Sequence, residues 1–190
     1  MPGSRLMGFD EWARQRLVAP RRFPDINTEA LDAFLAESNL IEGMPETKWE
    51  EYVALCDFLD HEVVTIANLA GYVYEIAGER ALLRERTLMD CWVGDHAPEP
   101  GGIRVVALLE RLLDRANDLQ DPWEVHNAYE TLHPFLDGNG RSGRALWLWM
   151  MLRLEEAKDE KDRNDLFLRR GFLHSFYYQT LQGVRLNAAG

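Results

Sequence analysis

His133-Pro134-Phe135-Leu136-Asp137-Gly138-Asn139-Gly140-Arg141-Ser142-Gly143-Arg144 gathers one base, one carboxylate, two glycines around an asparagine, and two arginines into twelve consecutive residues. Glycine tolerates positive φ and lets backbone approach a ligand closely. Successive N–H groups in such a turn converge on an anion, and a helix starting near Arg141 adds its own N-terminal N–H groups and dipole. Phosphate is the simplest guest. Arg141 stands in the first turn of that helix and Arg144 one turn further on, so both guanidiniums can serve one side. Asp137 offers the hard oxygen that Mg²⁺ accepts, with phosphate oxygens and water completing the shell. His133 closes the preceding helix, and an imidazole that titrates near neutrality suits removal of a proton from an attacking hydroxyl. Phe135 is expected to point the other way and anchor the loop. A histidine at a helix end is usually structural, a Gly-Asn-Gly usually a turn, and a pair of helical arginines usually solvated. Their conjunction is what points to polyphosphate chemistry. There is no G-x-x-x-x-G-K-[ST] and no dinucleotide fingerprint. The residues alone specify phosphate, metal and base without choosing between AMP transfer and phosphate transfer.

Outward from this stretch the chain is mostly helical. Asp121-Pro122 supplies an N-cap followed by proline at the first helical position. The helix it opens, with Val125, Ala128, Tyr129 and Leu132 on one face, delivers the chain to His133. Ala145, Leu148, Trp149 and Leu152 mark the helix beyond the loop. Upstream, a helix is expected from Asn27 or Thr28 with Leu31, Phe34 and Leu35 inward, ending near Gly43 and Pro45. Others are expected at about 46–59 (Trp49, Val53, Cys56), 61–77 with Gly78 as its stop, and 103–116 on the stripe Val105, Leu108, Leu109, Leu112, Leu113 and Ala116. A short helix at 5–17 and a last one at about 165–182, with Phe172, Leu173, Phe176 and Tyr177 inward, complete the set. Residues 82–101 differ. They alternate in part and leave through Gly94-Asp95-His96-Ala97-Pro98-Glu99-Pro100, which predicts an extended segment or hairpin. The fold class expected is all-α, with residues 1–190 as a single domain.

The chain carries 21 Lys and Arg against 32 Asp and Glu, a net charge of −11. That balance argues against nucleic acid or an anionic membrane as partner, and makes the positive charge at Arg141 and Arg144 a local feature. Cys56 and Cys91 form no metal-ligand pattern. With no secretory signature and no apolar run that would span a bilayer, they are expected as reduced thiols in a cytoplasmic protein.

The loop resembles the Fic family signature H-x-F-x-[D/E]-G-N-G-R-x-x-R at every defined position: His133, Phe135, Asp137, Gly138, Asn139, Gly140, Arg141 and Arg144. Trp92-Val93-Gly94-Asp95-His96-Ala97-Pro98 resembles the V-G-x-H-x-P stretch of the family's flap, and the likeness spans roughly residues 30–185. The resemblance implies an all-helical Fic-type fold with a small β-hairpin flap at 82–101, which holds the target segment beside the catalytic loop at 133–144. It implies transfer of AMP from ATP to a Ser, Thr or Tyr hydroxyl of a protein. His133 would be the general base and Asp137 the Mg²⁺ ligand. The backbone of Gly138 to Gly140, with the Asn139 side chain, would cradle phosphates, Arg141 would steady them, and Arg144 would reach the γ-phosphate. The Doc-type relatives that transfer phosphate depart from the motif at its Gly and Arg positions, and this sequence does not.

Ser38-Asn39-Leu40-Ile41-Glu42-Gly43 resembles the family's inhibitory helix, [S/T]-x-x-x-E-[G/N], within an N-terminal segment at 27–45. Ser38 and Glu42 stand one helical turn apart and can share a face. The resemblance implies that Glu42 pairs with Arg144 and removes the partner of the γ-phosphate. His126, Trp147 and Trp149 are expected to be packing residues. Asp95 and His96 belong with the flap, and Tyr177 or Tyr178 is a candidate for adenine contact. Three functions follow: an autoinhibited adenylyltransferase acting on an unidentified protein and on itself, an enzyme of the same kind that removes AMP, and a nucleotide-sensing module with negligible turnover. A homodimer is compatible with each.

Overall fold

The computed structural model describes residues 28–44, 46–94 and 96–154. The helices expected at 5–17 and 165–182 lie outside them, as do Asp95, Tyr177 and Tyr178. The described residues form six α-helices: α1 Thr28–Ile41, α2 Trp49–Asp60, α3 Ile66–Ala77, α4 Ile103–Asn117, α5 Pro122–Leu132 and α6 Asn139–Leu154. They form no strand longer than a single bridge, so the class is all-α.

The organising element is α6. Ala145 to Met150 are apolar without interruption and all buried, Leu152 with them. A helix that is apolar all round has no face to give to water and must be enclosed. Each of the other five helices packs against it. The neighbours are amphipathic instead. From α4 Val105, Leu109, Leu112, Leu113 and Ala116 are buried, with Leu108 partly buried against the same core, and from α1 Leu31, Phe34 and Leu35 turn inward. Trp147 meets Trp123 of α5 with ring centroids 5.3 Å apart. Trp149 Nε1 donates to the His61 carbonyl at 2.9 Å. Both Trp147 and Trp149 are therefore core residues, and the His61 carbonyl satisfies the buried indole N–H of Trp149.

Local chemistry sets the helix ends. Asp121 accepts from the N–H groups of Trp123 and Glu124, as its position before Pro122 predicts. The third helix starts later than expected. Val64 exchanges hydrogen bonds with the Asn117 side chain, which holds 61–64 out of helical geometry. Thr65 and Asn68 then form a reciprocal cap. No helix among the described residues is long and apolar enough to cross a membrane. Neither Cys56 nor Cys91 forms a disulfide.

The segment between α3 and α4 is extended, as expected, but its hairpin shrinks to one residue pair. Val93 and His96 exchange both backbone hydrogen bonds at 3.0 Å. A second bridge, Leu83 to Phe135, joins the root of the segment to the loop that follows α5.

Candidate active site

The loop between α5 and α6 is fixed from both sides. His133 ends α5 as a C-cap in the left-handed region (φ 49°, ψ 62°), its N–H bonded to the Tyr129 carbonyl. Phe135 is fully buried and anchors the turn. Asn139 then clamps it. Its Oδ1 accepts from the Phe135 N–H at 2.9 Å and its Nδ2 donates to the Phe135 carbonyl at 2.8 Å. Both ends of the amide are thus engaged by the loop's own backbone. Asn139 thereby fixes the shape of the turn that leads into α6. Helix α6 also begins earlier than expected, at Asn139. Only Gly138 of the Gly-Asn-Gly takes positive φ, at 77°, and a Cβ there would stand 3.0 Å from the Ala77 Cβ. The candidate anion site is therefore one helix N-terminus, whose first N–H groups have no intrahelical acceptor.

A carboxylate already lies over that N-terminus. A Cβ on Gly140 would run into Glu42 Oε1 and stand 3.1 Å from Arg144 Nη1. The absence of a side chain at Gly140 is what lets the Glu42 carboxylate settle there. Glu42 Oε1 accepts from Arg144 Nη2 at 2.7 Å. Ser38 holds the same guanidinium, accepting from Nε on its hydroxyl and from Nη2 on its carbonyl, both at 2.8 Å. The structure thus brings together Ser38, Glu42, Gly140 and Arg144, four residues that the sequence placed in two motifs about a hundred positions apart.

Arg141 is held differently. Its Nη1 lies 3.3 Å from Glu51 Oε1, and both side chains are almost wholly buried. The other oxygen of Glu51 accepts from Asn39 Nδ2 at 2.8 Å and from the Lys48 N–H at 3.2 Å. Sequence reasoning missed Glu51. Its one signal is its place in the first turn of α2, where a carboxylate reaches back to the cap. In this arrangement Arg141 braces α6 against α1 and α2.

Asp137 is exposed, and its Oδ1 accepts from the Gly138 N–H at 2.6 Å. No cluster of three or more His, Cys, Asp or Glu that could hold a metal is found among the described residues. A cation at Asp137 would draw its remaining ligands from phosphate oxygens and water, the mode Mg²⁺ favours. An exposed carboxylate one residue before an anion site fits that requirement.

The His133 imidazole has its pKa lowered to about 4, first by burial and then by the Arg84 cation. His96 adds to the lowering, while the Glu130 backbone and the Glu42 charge oppose it. The ring is therefore neutral at physiological pH, and burial makes it a weaker base than the near-neutral imidazole expected from the sequence. His126 is also lowered to about 4 by burial, and lies edge-on to Trp123. It belongs to the packing, as expected. In the 82–101 segment, His96 Nε2 meets the Thr131 carbonyl at 2.9 Å, so the turn rests on the last residues of α5.

A neutral imidazole, a helix N-terminus, two arginines and an exposed carboxylate now stand around one loop. Residues 65–151 match the Fic/DOC family. The match supports a place for the chain in the Fic superfamily. It runs from the cap of α3 through most of α6, including residues 82–101 and 133–144, and does not reach Ser38, Glu42 or Glu51. Among solved structures the chain is similar to a Fic family protein from Desulfovibrio desulfuricans G20, at 19% identity and a TM-score of 0.40. That likeness covers 86% of this chain and 61% of the other, so this chain spans about three fifths of its length. No curated protein matches the chain.

Proposed function

We propose that this chain is a protein adenylyltransferase that moves AMP from ATP to a Ser, Thr or Tyr hydroxyl of a protein and is restrained by its own Glu42. The observation that carries the reading is the Glu42 carboxylate, bonded to Arg144 and lying over Gly140. A carboxylate there has the charge and the hydrogen-bonding habit of the phosphate that the N-terminus of α6 would otherwise receive.

In the proposed reaction His133 takes the proton of the target hydroxyl. The oxygen so activated attacks the α-phosphorus, and the bond from that phosphorus to the oxygen bridging the α- and β-phosphates breaks. Pyrophosphate leaves. Asp137, with phosphate oxygens, would hold Mg²⁺, whose part is to neutralise charge on the phosphates. The N–H groups at the start of α6 receive phosphate oxygens, and Arg144, once released, draws the γ-phosphate and so aligns the α-phosphorus. Arg141 supports this by fixing the helix. Glu42 competes for Arg144, so the two geometries exclude each other.

A second reading, removal of AMP from a modified protein, is favoured by one fact. Glu42 keeps 38% of its side-chain surface exposed and is among the charges acting on His133. A carboxylate so placed can orient a water toward a phosphodiester. Incubation with ATP labelled on the α-phosphate, and separately with an AMP-modified substrate, distinguishes the two. Label retained on protein by the Glu42→Gly variant supports transfer, and AMP release that needs Glu42 supports removal. His133→Ala in the Glu42→Gly background should lose about 10²–10⁴-fold of the transfer rate with ATP binding retained. Turnover equal to that background would remove His133 from its role.

A further inference from the structure

Arg84 is completely buried, yet every hydrogen bond of its guanidinium ends on a backbone carbonyl. Nε donates to His133 O at 2.7 Å, Nη2 to Leu132 O at 2.7 Å, and Nη1 to Glu99 O at 2.8 Å and Met89 O at 3.4 Å. Among the described residues no carboxylate lies within ion-pair distance of it. A buried charge is costly unless compensated. Two of these carbonyls stand at the C-terminal end of α5, where the last C=O groups lack intrahelical donors and the dipole is negative. The backbone of Arg84 adds two more joints. Its N–H donates to Pro134 O at 2.8 Å, and its carbonyl accepts from Gly102 N at 2.9 Å.

The partners divide into two groups. His133, Leu132 and Pro134 are the base and its chain neighbours. Met89 and Glu99 lie on the two arms of the flap segment, and Gly102 follows it as the N-cap of α4. His133 also holds a left-handed conformation, which costs a non-glycine residue roughly 1–2 kcal/mol and persists only where its surroundings over-determine it. We propose that Arg84 is a positioning residue. It locks His133 in that conformation and ties both arms of the flap to the base, so that the imidazole and the flap beside it keep one geometry. The proposal rests on the reading of His133 as the base. Lysine cannot replace this arginine, because one ammonium lacks the planar fork that spans carbonyls on two sides.

The test uses the full chain carrying Glu42→Gly, with Arg84→Lys and Arg84→Gln added separately. Arg84→Lys should keep the Km for ATP within about twofold and lower kcat on the order of 10–100-fold, the cost of a misplaced reacting group. The second readout needs no turnover: the NMR titration of the His133 ring, assigned by its loss in His133→Ala. Arg84, His96, Glu42 and Glu130 are the groups that act on this imidazole. Removing the Arg84 cation in Arg84→Gln should move the midpoint upward. If Arg84→Gln does not fold, the Arg84→Lys kinetics decide. A folded Arg84→Lys with unchanged kcat, a rise in Km alone, or an unmoved His133 midpoint in folded Arg84→Gln would overturn the proposal. Absence of transfer in the Glu42→Gly parent would defeat the functional reading instead, and the ring titration would still decide the role of Arg84.

Discussion

Arg141 and Arg144 lie one turn apart on the same helix and each meets a carboxylate, but the two pairs differ in what surrounds them. Glu51 is 4% exposed in its side chain and is held by two further donors beside Arg141. Glu42 is 38% exposed, while its partner Arg144 is 1% exposed and has Ser38 as a second anchor. A pair buried on both sides cannot be opened without stranding a charge away from water. A pair with one member at the surface can exchange that member for another anion. Identical chemistry thus yields a brace in one case and a replaceable contact in the other, and the difference lies in access to solvent.

The largest expected effect breaks the brace. Glu51→Ala leaves the Arg141 charge buried and also frees Asn39, so unfolding free energy should fall by about 3–5 kcal/mol, measured by urea titration. A loss below about 1 kcal/mol would place Glu51 with ordinary surface carboxylates and end the distinction.

Acid probes the buried side of the second pair, because Arg144 is one of the groups that depress His126. In the folded chain His126 and His133 stay neutral down to about pH 4, whereas the unfolded chain protonates them near 6.5. The unfolded state therefore binds more protons in that window. The stability they contribute is whole above pH 6.5 and is lost as pH falls toward 4, by about 3 kcal/mol for His126. Urea midpoints between pH 7 and 4.5 should show this decline, and His126→Asn should flatten it. A decline of equal size in that variant would assign it to other groups.

Glu42→Gly should cost less stability than Glu51→Ala, since Arg144 keeps both Ser38 acceptors, and yet raise auto-modification. Adding Arg144→Ala should abolish that rise. Equal activity in the single and double variants would show that Glu42 does not act through Arg144. The smallest effect marks the solvated limit of the series. Arg104 and Glu99 are 3.2 Å apart with Arg104 75% exposed, and Arg104→Ala should shift stability by no more than about 0.5 kcal/mol.

The helices were readable because their signals are local. The stripe of α4 and the Asp121-Pro122 cap depend on residues within a few positions of each other, and the structure follows both. The third helix was mis-started because the Asn117 side chain that unwinds 61–64 comes from 53 residues away. The loop was readable for the same reason as the caps, its base, carboxylate and arginines lying within twelve residues. Glu51 and Arg84 were not. They act across 90 and 49 positions, and in sequence each sits among charges, Glu50-Glu51 and Arg84-Glu85-Arg86, that look like solvated surface. Tertiary packing turns such residues into braces, and periodicity carries no trace of it.

Gly140 leaves room for the tethered Glu42 carboxylate over the start of α6. Under the proposed function, productive ATP binding is available only to the fraction of molecules with Glu42 displaced, and apparent affinity falls by that fraction. With about one molecule in a hundred open, ATP is bound productively about a hundredfold more weakly. A protein that holds α1 away from α6 would then act as an activator, although it touches neither nucleotide nor target. Its greatest effect would be the reciprocal of the open fraction, so the same number that measures the restraint also measures how strongly the enzyme can be switched on.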